Sequence, residues 1–160
     1  MLTNNNNCAI IKSSKREVLK MNILYTMVGL PGSGKSTFTK NHTECVIVST
    51  DAIRAELFGF EECQENGSLV FEIAFKRIRK ALAQGCDVIF DATNVSRKAR
   101  KSVFQFNAKH IAVFVNTDVE ECKKRNTQRE RKVPEFVIDR MASRLVAPTI
   151  EEGFEKIIVL

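Results

Sequence analysis

Residues Gly29-Leu30-Pro31-Gly32-Ser33-Gly34-Lys35-Ser36-Thr37 satisfy the pattern G-x-x-x-x-G-K-[ST], directly behind the apolar run Ile23-Leu24-Tyr25-Thr26-Met27-Val28. Few short patterns restrict a fold so strongly. A glycine-rich turn between a buried strand and a helix points several backbone N–H groups at one spot, and the helix start adds partial positive charge there. Polyphosphate is the natural occupant of such a turn. Gly29, Gly32 and Gly34 let the backbone wrap an anion where a Cβ would clash. Ser33 and Thr37 complete the loop, Lys35 supplies a point charge to β/γ oxygens, and the Ser36 hydroxyl is a ligand for Mg²⁺. The competing reading, a flexible surface loop, does not account for the strand before it or the helix after it.

The chain has 160 residues, enough for one domain with one core. No apolar run reaches the ~18 residues that cross a bilayer, so no membrane association is expected. Cys8, Cys45, Cys63, Cys86 and Cys122 are widely spaced, odd in number and without a C-x-x-C pair. They read as reduced thiols in a cytoplasmic protein, with a nuclear or organellar address left open. His42 and His110 are isolated and read as structural or solvent-facing, not as metal ligands. The net charge of +6 favours a polyanionic partner such as nucleic acid, although basic proteins without one are common.

Residues 1–20 read as a basic, Asn-rich extension, mobile or a weak organelle-targeting peptide, and the compact domain is expected over residues 21–160. Within it, strand and helix patterns alternate. Strands are expected at residues 23–28, 45–49, 86–90, 111–115 and 156–160, each short, apolar throughout and suited to a parallel sheet covered on both faces. Phe71, Phe75, Ile78 and Leu82 recur at helical spacing, with Gly85 as a stop. Val95, Ala99, Val103 and Phe106 trace a second stripe, and Val137, Met141 and Leu145 a third, between Pro134 and Pro148. These stripes read as core. Thr117-Asp118-Val119-Glu120 reads as a capping box opening a helix toward Arg125, and residues 59–67 as an acidic surface loop. Alternating βα units imply an α/β fold, a five-stranded parallel sheet flanked by helices, with ligands outside the carboxyl ends of the strands.

The chemistry-bearing residues fall at those ends. Asp51, after the second strand, is placed to accept the proton of an attacking hydroxyl during phosphoryl transfer. It equally suits the N-cap of a helix over residues 51–58, and the two roles are compatible. Arg54, one turn on, is a candidate grip for an acceptor phosphate or a solvated helix residue. Asp91 closes the run Asp87-Val88-Ile89-Phe90-Asp91, as an acid that orders Mg²⁺ does, or as a capping residue; Thr93 and Asn94 follow it. Arg125, Arg129, Arg131 and Lys132 crowd a segment ending at Pro134, which reads as a mobile arginine-bearing lid or as a solvated basic helix end. Arg97, Lys98, Arg100 and Lys101 read as a solvated helix face, with acceptor-phosphate binding as the alternative.

Together, Gly29–Thr37, Ser49-Thr50-Asp51-Ala52-Ile53-Arg54, Asp91-Ala92-Thr93-Asn94, Arg125-Asn126-Thr127-Gln128-Arg129 and Ala147-Pro148-Thr149-Ile150-Glu151-Glu152-Gly153-Phe154 resemble the 5′-hydroxyl polynucleotide kinase module, a P-loop kinase. The resemblance runs from about Met21 to the last residue. It implies an ATP- and Mg²⁺-dependent transfer of the γ-phosphoryl group to 5′-hydroxyl ends of DNA or RNA. Lys35 and Ser36 would then serve phosphates and metal, and Asp51 would be the general base. Arg54 would hold the acceptor phosphate, with Asp91, Thr93 and Asn94 on the substrate side. Arg125 and Arg129 would be lid arginines, Arg129 the better match to the transition-state position. Phosphatase or ligase modules often fused to such kinases have no counterpart in this sequence, so the resemblance implies either a stand-alone kinase or such a partner in trans. Two other readings use the same loop: a kinase of a small-molecule hydroxyl (sugar, nucleoside or antibiotic), and a nucleotide-binding regulatory module.

Overall fold

The computed structural model describes residues 21–59, 67–130 and 132–160. Five strands form one parallel sheet: β1 (Ile23–Val28), β2 (Val46–Ser49), β3 (Val88–Asp91), β4 (Lys109–Phe114) and β5 (Lys156–Val159), in the spatial order β2-β3-β1-β4-β5. The helices are α1 (Lys35–Lys40), α2 (Thr50–Phe58), α3 (Gly67–Ala83), α4 (Arg97–Lys101), α5 (Val119–Thr127) and α6 (Glu135–Ala142), with 3-10 turns at Ser102–Gln105 and Ile150–Glu152. This is the expected α/β fold with its five strands. The 1–20 extension, the loop residues 60–66 and Arg131 lie outside the described residues.

Period-two alternation sends side chains to two cores. Leu24, Val48, Val88 and Phe90 pack with Ile53 of α2, with Val70, Ala74 and Ile78 of α3, and with Val103 and Phe106. Met27, Ile89 and Val113 pack with Phe38 of α1 and Cys45. Burial on both faces holds for the three inner strands. At the edges it fails: Val46, Ile47 and Val159 are exposed, because an edge strand lacks a neighbour on one side.

Three local expectations are corrected. The buried line of α3 is Val70-Ala74-Ile78-Ala81, while Phe71 and Phe75 flank it and meet Phe90 edge-on at 6.2 and 6.0 Å. The second stripe does not lie on one helix, since α4 ends after five residues and continues as a 3-10 turn. The cap of α5 is Asp118, whose carboxylate accepts from the Glu120 and Glu121 N–H groups at 2.9 and 3.4 Å. Thr117 instead donates its hydroxyl to the Ser33 carbonyl at 2.7 Å, tying the β4–α5 junction to the phosphate loop.

Register positions the site. Ser49 lies beside Asp91 across the β2–β3 ladder, and β1 neighbours β3, so β1, β2 and β3 deliver their following loops to one end of the sheet.

Candidate active site

The loop after β1 can take its path only with glycine. Gly34, the N-cap of α1, sits at φ 106°, and Gly32 at φ 81°. A Cβ on Gly32 would stand 2.5 Å from the Cys122 carbonyl oxygen, too close for any real contact. Ser33 is held from α5's side by two donors to its carbonyl: the Thr117 hydroxyl and, at 3.3 Å, Arg125 Nη1. Its own Oγ is buried without a hydrogen-bond partner.

Lys35 folds back over this loop, donating from Nζ to the carbonyls of Gly29 and Leu30 at 2.9 and 2.8 Å. Burial lowers its pKa to about 8, although the charges of Asp91 and Asp51 pull upward; Arg129 pushes further down. Burial raises the Asp91 carboxyl, opposed by Lys35, reinforced by Asp51 and countered by Arg129. Four charged groups called from scattered sequence positions thus act on one another. They share a cavity of 490 Å³ with Ser36, Thr37, Arg54, Thr93, Asn94 and Arg125.

Asp51 stands in the first turn of α2, but the cap is Ser49, whose hydroxyl accepts the Ala52 N–H at 3.4 Å. The capping role expected of Asp51 is therefore filled two residues earlier. Its carboxylate, 52% exposed, pairs with Arg54 Nη1 at 3.0 Å. The Arg54 side chain is only 17% exposed, and its Nε is buried with no hydrogen-bond partner. The solvated-helix reading of Arg54 is overturned.

Thr93 and Asn94 support the loop through their backbone and amide. The Thr93 carbonyl accepts the Gly29 N–H at 3.0 Å, and Asn94, at φ 46°, donates its amide to the Met27 carbonyl at 2.9 Å. Behind them lies a residue assigned to a solvated face: Arg100 is 0% exposed. It makes a two-pronged bond to Glu152 at 2.8 and 2.7 Å, and its Nη1 donates to the carbonyls of Asn94 and Val146 at 2.9 Å each. Only a partner 52 residues away reveals its role, so no local pattern could have flagged it.

Near the end of α5, Arg125 Nε pairs with Glu121 at 2.8 Å while its Nη1 reaches Ser33. Arg129 is exposed and lines the cavity. Asn126 between them is buried, and its amide both accepts the Val133 N–H at 2.9 Å and donates to the Val133 carbonyl at 2.8 Å. Asn126 thereby ties the end of α5 to Val133. Phe71, Val95, Ala99, Val133, Val137 and Met141 form an apolar wall. The stripes read as pure core thus also line the site.

A parallel sheet in this order, with the phosphate loop leaving β1, Asp51 just after β2 and Asp91 closing β3, defines the class: the P-loop kinase fold. Within it, residues 24–148 match the AAA domain family AAA_33, and the chain belongs to that family. Among characterised proteins it is similar to the L-seryl-tRNA(Sec) kinase of Methanococcus maripaludis, at 26% identity over 79% of this chain and 53% of that one. Among solved structures it is similar to a chain of the Pnkp1/Rnl/Hen1 RNA repair complex, at 25% identity and a TM-score of 0.71, covering 83% of this chain and 47% of that one. A sugar kinase from Janibacter shares the fold at 19% identity and a TM-score of 0.66, covering 88% and 85%. The chain thus spans about half the length of the first two. No helix among the described residues is long and apolar enough to cross a membrane.

Proposed function

We propose that this protein transfers the γ-phosphoryl group of ATP to the 5′-hydroxyl end of DNA or RNA. The observation that carries the reading is the Asp51–Arg54 pair, 3.0 Å apart, opening onto the same cavity as Lys35 and an apolar wall. Asp51 takes the hydroxyl proton as the O–P bond forms and the bond to the departing ADP breaks. Arg54 meets the acceptor's phosphate with the Nε that is buried without a hydrogen-bond partner. Lys35 leaves the Gly29 and Leu30 carbonyls for the β/γ oxygens, and Arg125 and Arg129 bring positive charge from the lid.

The residues fit a nucleotide-borne Mg²⁺. The Ser36 side chain at the start of α1 lines the cavity, Asp91 lies in the same space, and no group of three metal-ligating side chains exists among the described residues. Ser36 would hold the ion, which neutralises phosphate charge when bound. The apolar wall suits a nucleobase better than a polyhydroxylated sugar, whose hydroxyls would need buried partners. Likeness to a tRNA-directed kinase and to a chain of an RNA repair complex supports a nucleic-acid acceptor, and phosphatase or ligase partners in trans.

The test is an acceptor panel with γ-labelled ATP: 5′-hydroxyl DNA and RNA oligonucleotides, their 5′-phosphorylated counterparts, seryl-tRNA, sugars and nucleosides. Label should enter the 5′-hydroxyl strands and not the 5′-phosphorylated ones. Label confined to a sugar or nucleoside would overturn the assignment in favour of a small-molecule kinase.

A further inference from the structure

The four-cation run Arg97, Lys98, Arg100, Lys101 is split by the structure into two populations. Arg100 is fully buried, whereas Arg97 is 64% exposed and Lys98 and Lys101 are exposed. Arg97 and Lys101 are four residues apart on α4, hence on one side of it. They line a second cavity, of 230 Å³, together with Phe104 and Glu152. Ala99, between them, lines the first cavity instead, as does Val95 just before the helix. The two cavities are therefore separated by the width of one short helix.

Phe104 is held in place. A Cβ on Gly153 would lie 3.0 Å from its ring, and His110 and Phe154 meet it edge-on at 5.0 and 4.9 Å. Two carboxylates lie nearby, Glu151 and Glu152. Glu152 is committed to Arg100, with Arg97 Nε 3.7 Å away, so the cations outnumber the acids around this hollow. A fixed aromatic ring beside two exposed cations, one helix away from an acceptor site, is what a single nucleic-acid strand needs: charge for phosphates and a flat surface for a base.

We propose that the Arg97–Lys101–Phe104 hollow is a second binding site, for a phosphate and base of the acceptor strand downstream of its reacting end. The inference rests on the nucleic-acid reading of the first cavity. It makes the protein a length-sensing enzyme, gripping longer strands better than a single nucleotide.

Fluorescence anisotropy with labelled 5′-hydroxyl single strands of 3 and 12 nucleotides tests this without relying on catalysis. The wild type should bind the 12-mer more tightly than the 3-mer. Arg97→Ala/Lys101→Ala should weaken 12-mer binding about tenfold and flatten its log–log salt slope by about 0.7, the loss of one single-strand phosphate contact. Arg97→Lys/Lys101→Arg should restore it, and Phe104→Leu should weaken the 12-mer alone. In the transfer assay the double alanine variant should raise KM for the 12-mer and leave KM and kcat for a nucleoside 3′-monophosphate unchanged. Equal affinity of the wild type for both lengths, or an unaltered salt slope in the double variant, would overturn the second site. Strands bound as expected yet never phosphorylated would uphold it and sink the kinase reading instead.

Discussion

Removing the Glu152 carboxylate should destabilise the fold far more than losing a surface ion pair does, and it should damage the site as well. Arg100 has no solvent exposure, and Glu152 answers two of its donors at 2.8 and 2.7 Å. Glu152→Ala leaves a guanidinium buried with no counter-charge, a change that costs about 3–5 kcal/mol, against at most ~1 kcal/mol for an exposed pair. For a domain of this size that corresponds to a melting temperature roughly 10–15 °C lower. The pH dependence follows the sign of the shift. Burial pushes the Glu152 carboxyl up, but the hydrogen bonds and charge of Arg100 outweigh it and hold the pKa below the ordinary value. A depressed carboxylate contributes stability that is present above the ordinary pKa and lost as pH falls through the folded one. Urea unfolding from pH 7 down to pH 3 should therefore show wild type and Glu152→Ala converging under acid. Replacing both partners, Arg100→Met with Glu152→Leu, should recover most of the loss. A cost for Glu152→Ala below ~1 kcal/mol at pH 7, or no convergence at low pH, would refute the reasoning.

Gly32→Ala forces a Cβ against the Cys122 carbonyl at a φ few side chains adopt, so ATP affinity measured by calorimetry should fall roughly a hundredfold; an unchanged Kd would contradict a closely packed cradle. Burial holds the Lys35 pKa down at about 8 and a bound phosphate anion must raise it, so ATP binding should take up a proton and weaken as pH climbs through 8 toward 9.5. The fall should approach tenfold per pH unit, and a flat profile across that range would show that Lys35 does not meet the phosphates. Asn126→Ala removes two hydrogen bonds that tie the end of α5 to Val133, at a cost of about 1–3 kcal/mol, and should lower kcat as Arg129→Ala does while leaving ATP binding within a few-fold. A kcat equal to wild type would remove Asn126 from the lid's support.

Local chemistry made much of this molecule readable. The phosphate loop, the apolar strands and the acids after β2 and β3 are each recorded in consecutive residues, because backbone demands and strand burial act over a few positions. The sheet followed from alternation alone. What stayed hidden depends on contacts between distant segments. Arg100 looks like its neighbours Lys98 and Lys101 until Glu152 and the Asn94 and Val146 carbonyls surround it. Thr117 looked like a cap because Thr-x-x-Glu is a capping pattern, yet its hydroxyl goes to Ser33, 84 residues away. The helical stripes of α3 and α6 gave the right elements and an incomplete purpose, since Phe71, Val137 and Met141 also face the cavity. A periodic pattern marks a residue as apolar; it does not say whether protein or ligand covers it.

The proposed transfer depends on Asp51 acting as a base within reach of the phosphate cradle. Asp51→Asn keeps the side-chain size and the start of α2 while removing the proton acceptor, and single-turnover transfer from γ-labelled ATP to a 5′-hydroxyl oligonucleotide reads its effect. The expected rate loss is about a hundredfold or more, with the Kd for ATP within threefold of wild type. Transfer at the wild-type rate would contradict the central claim.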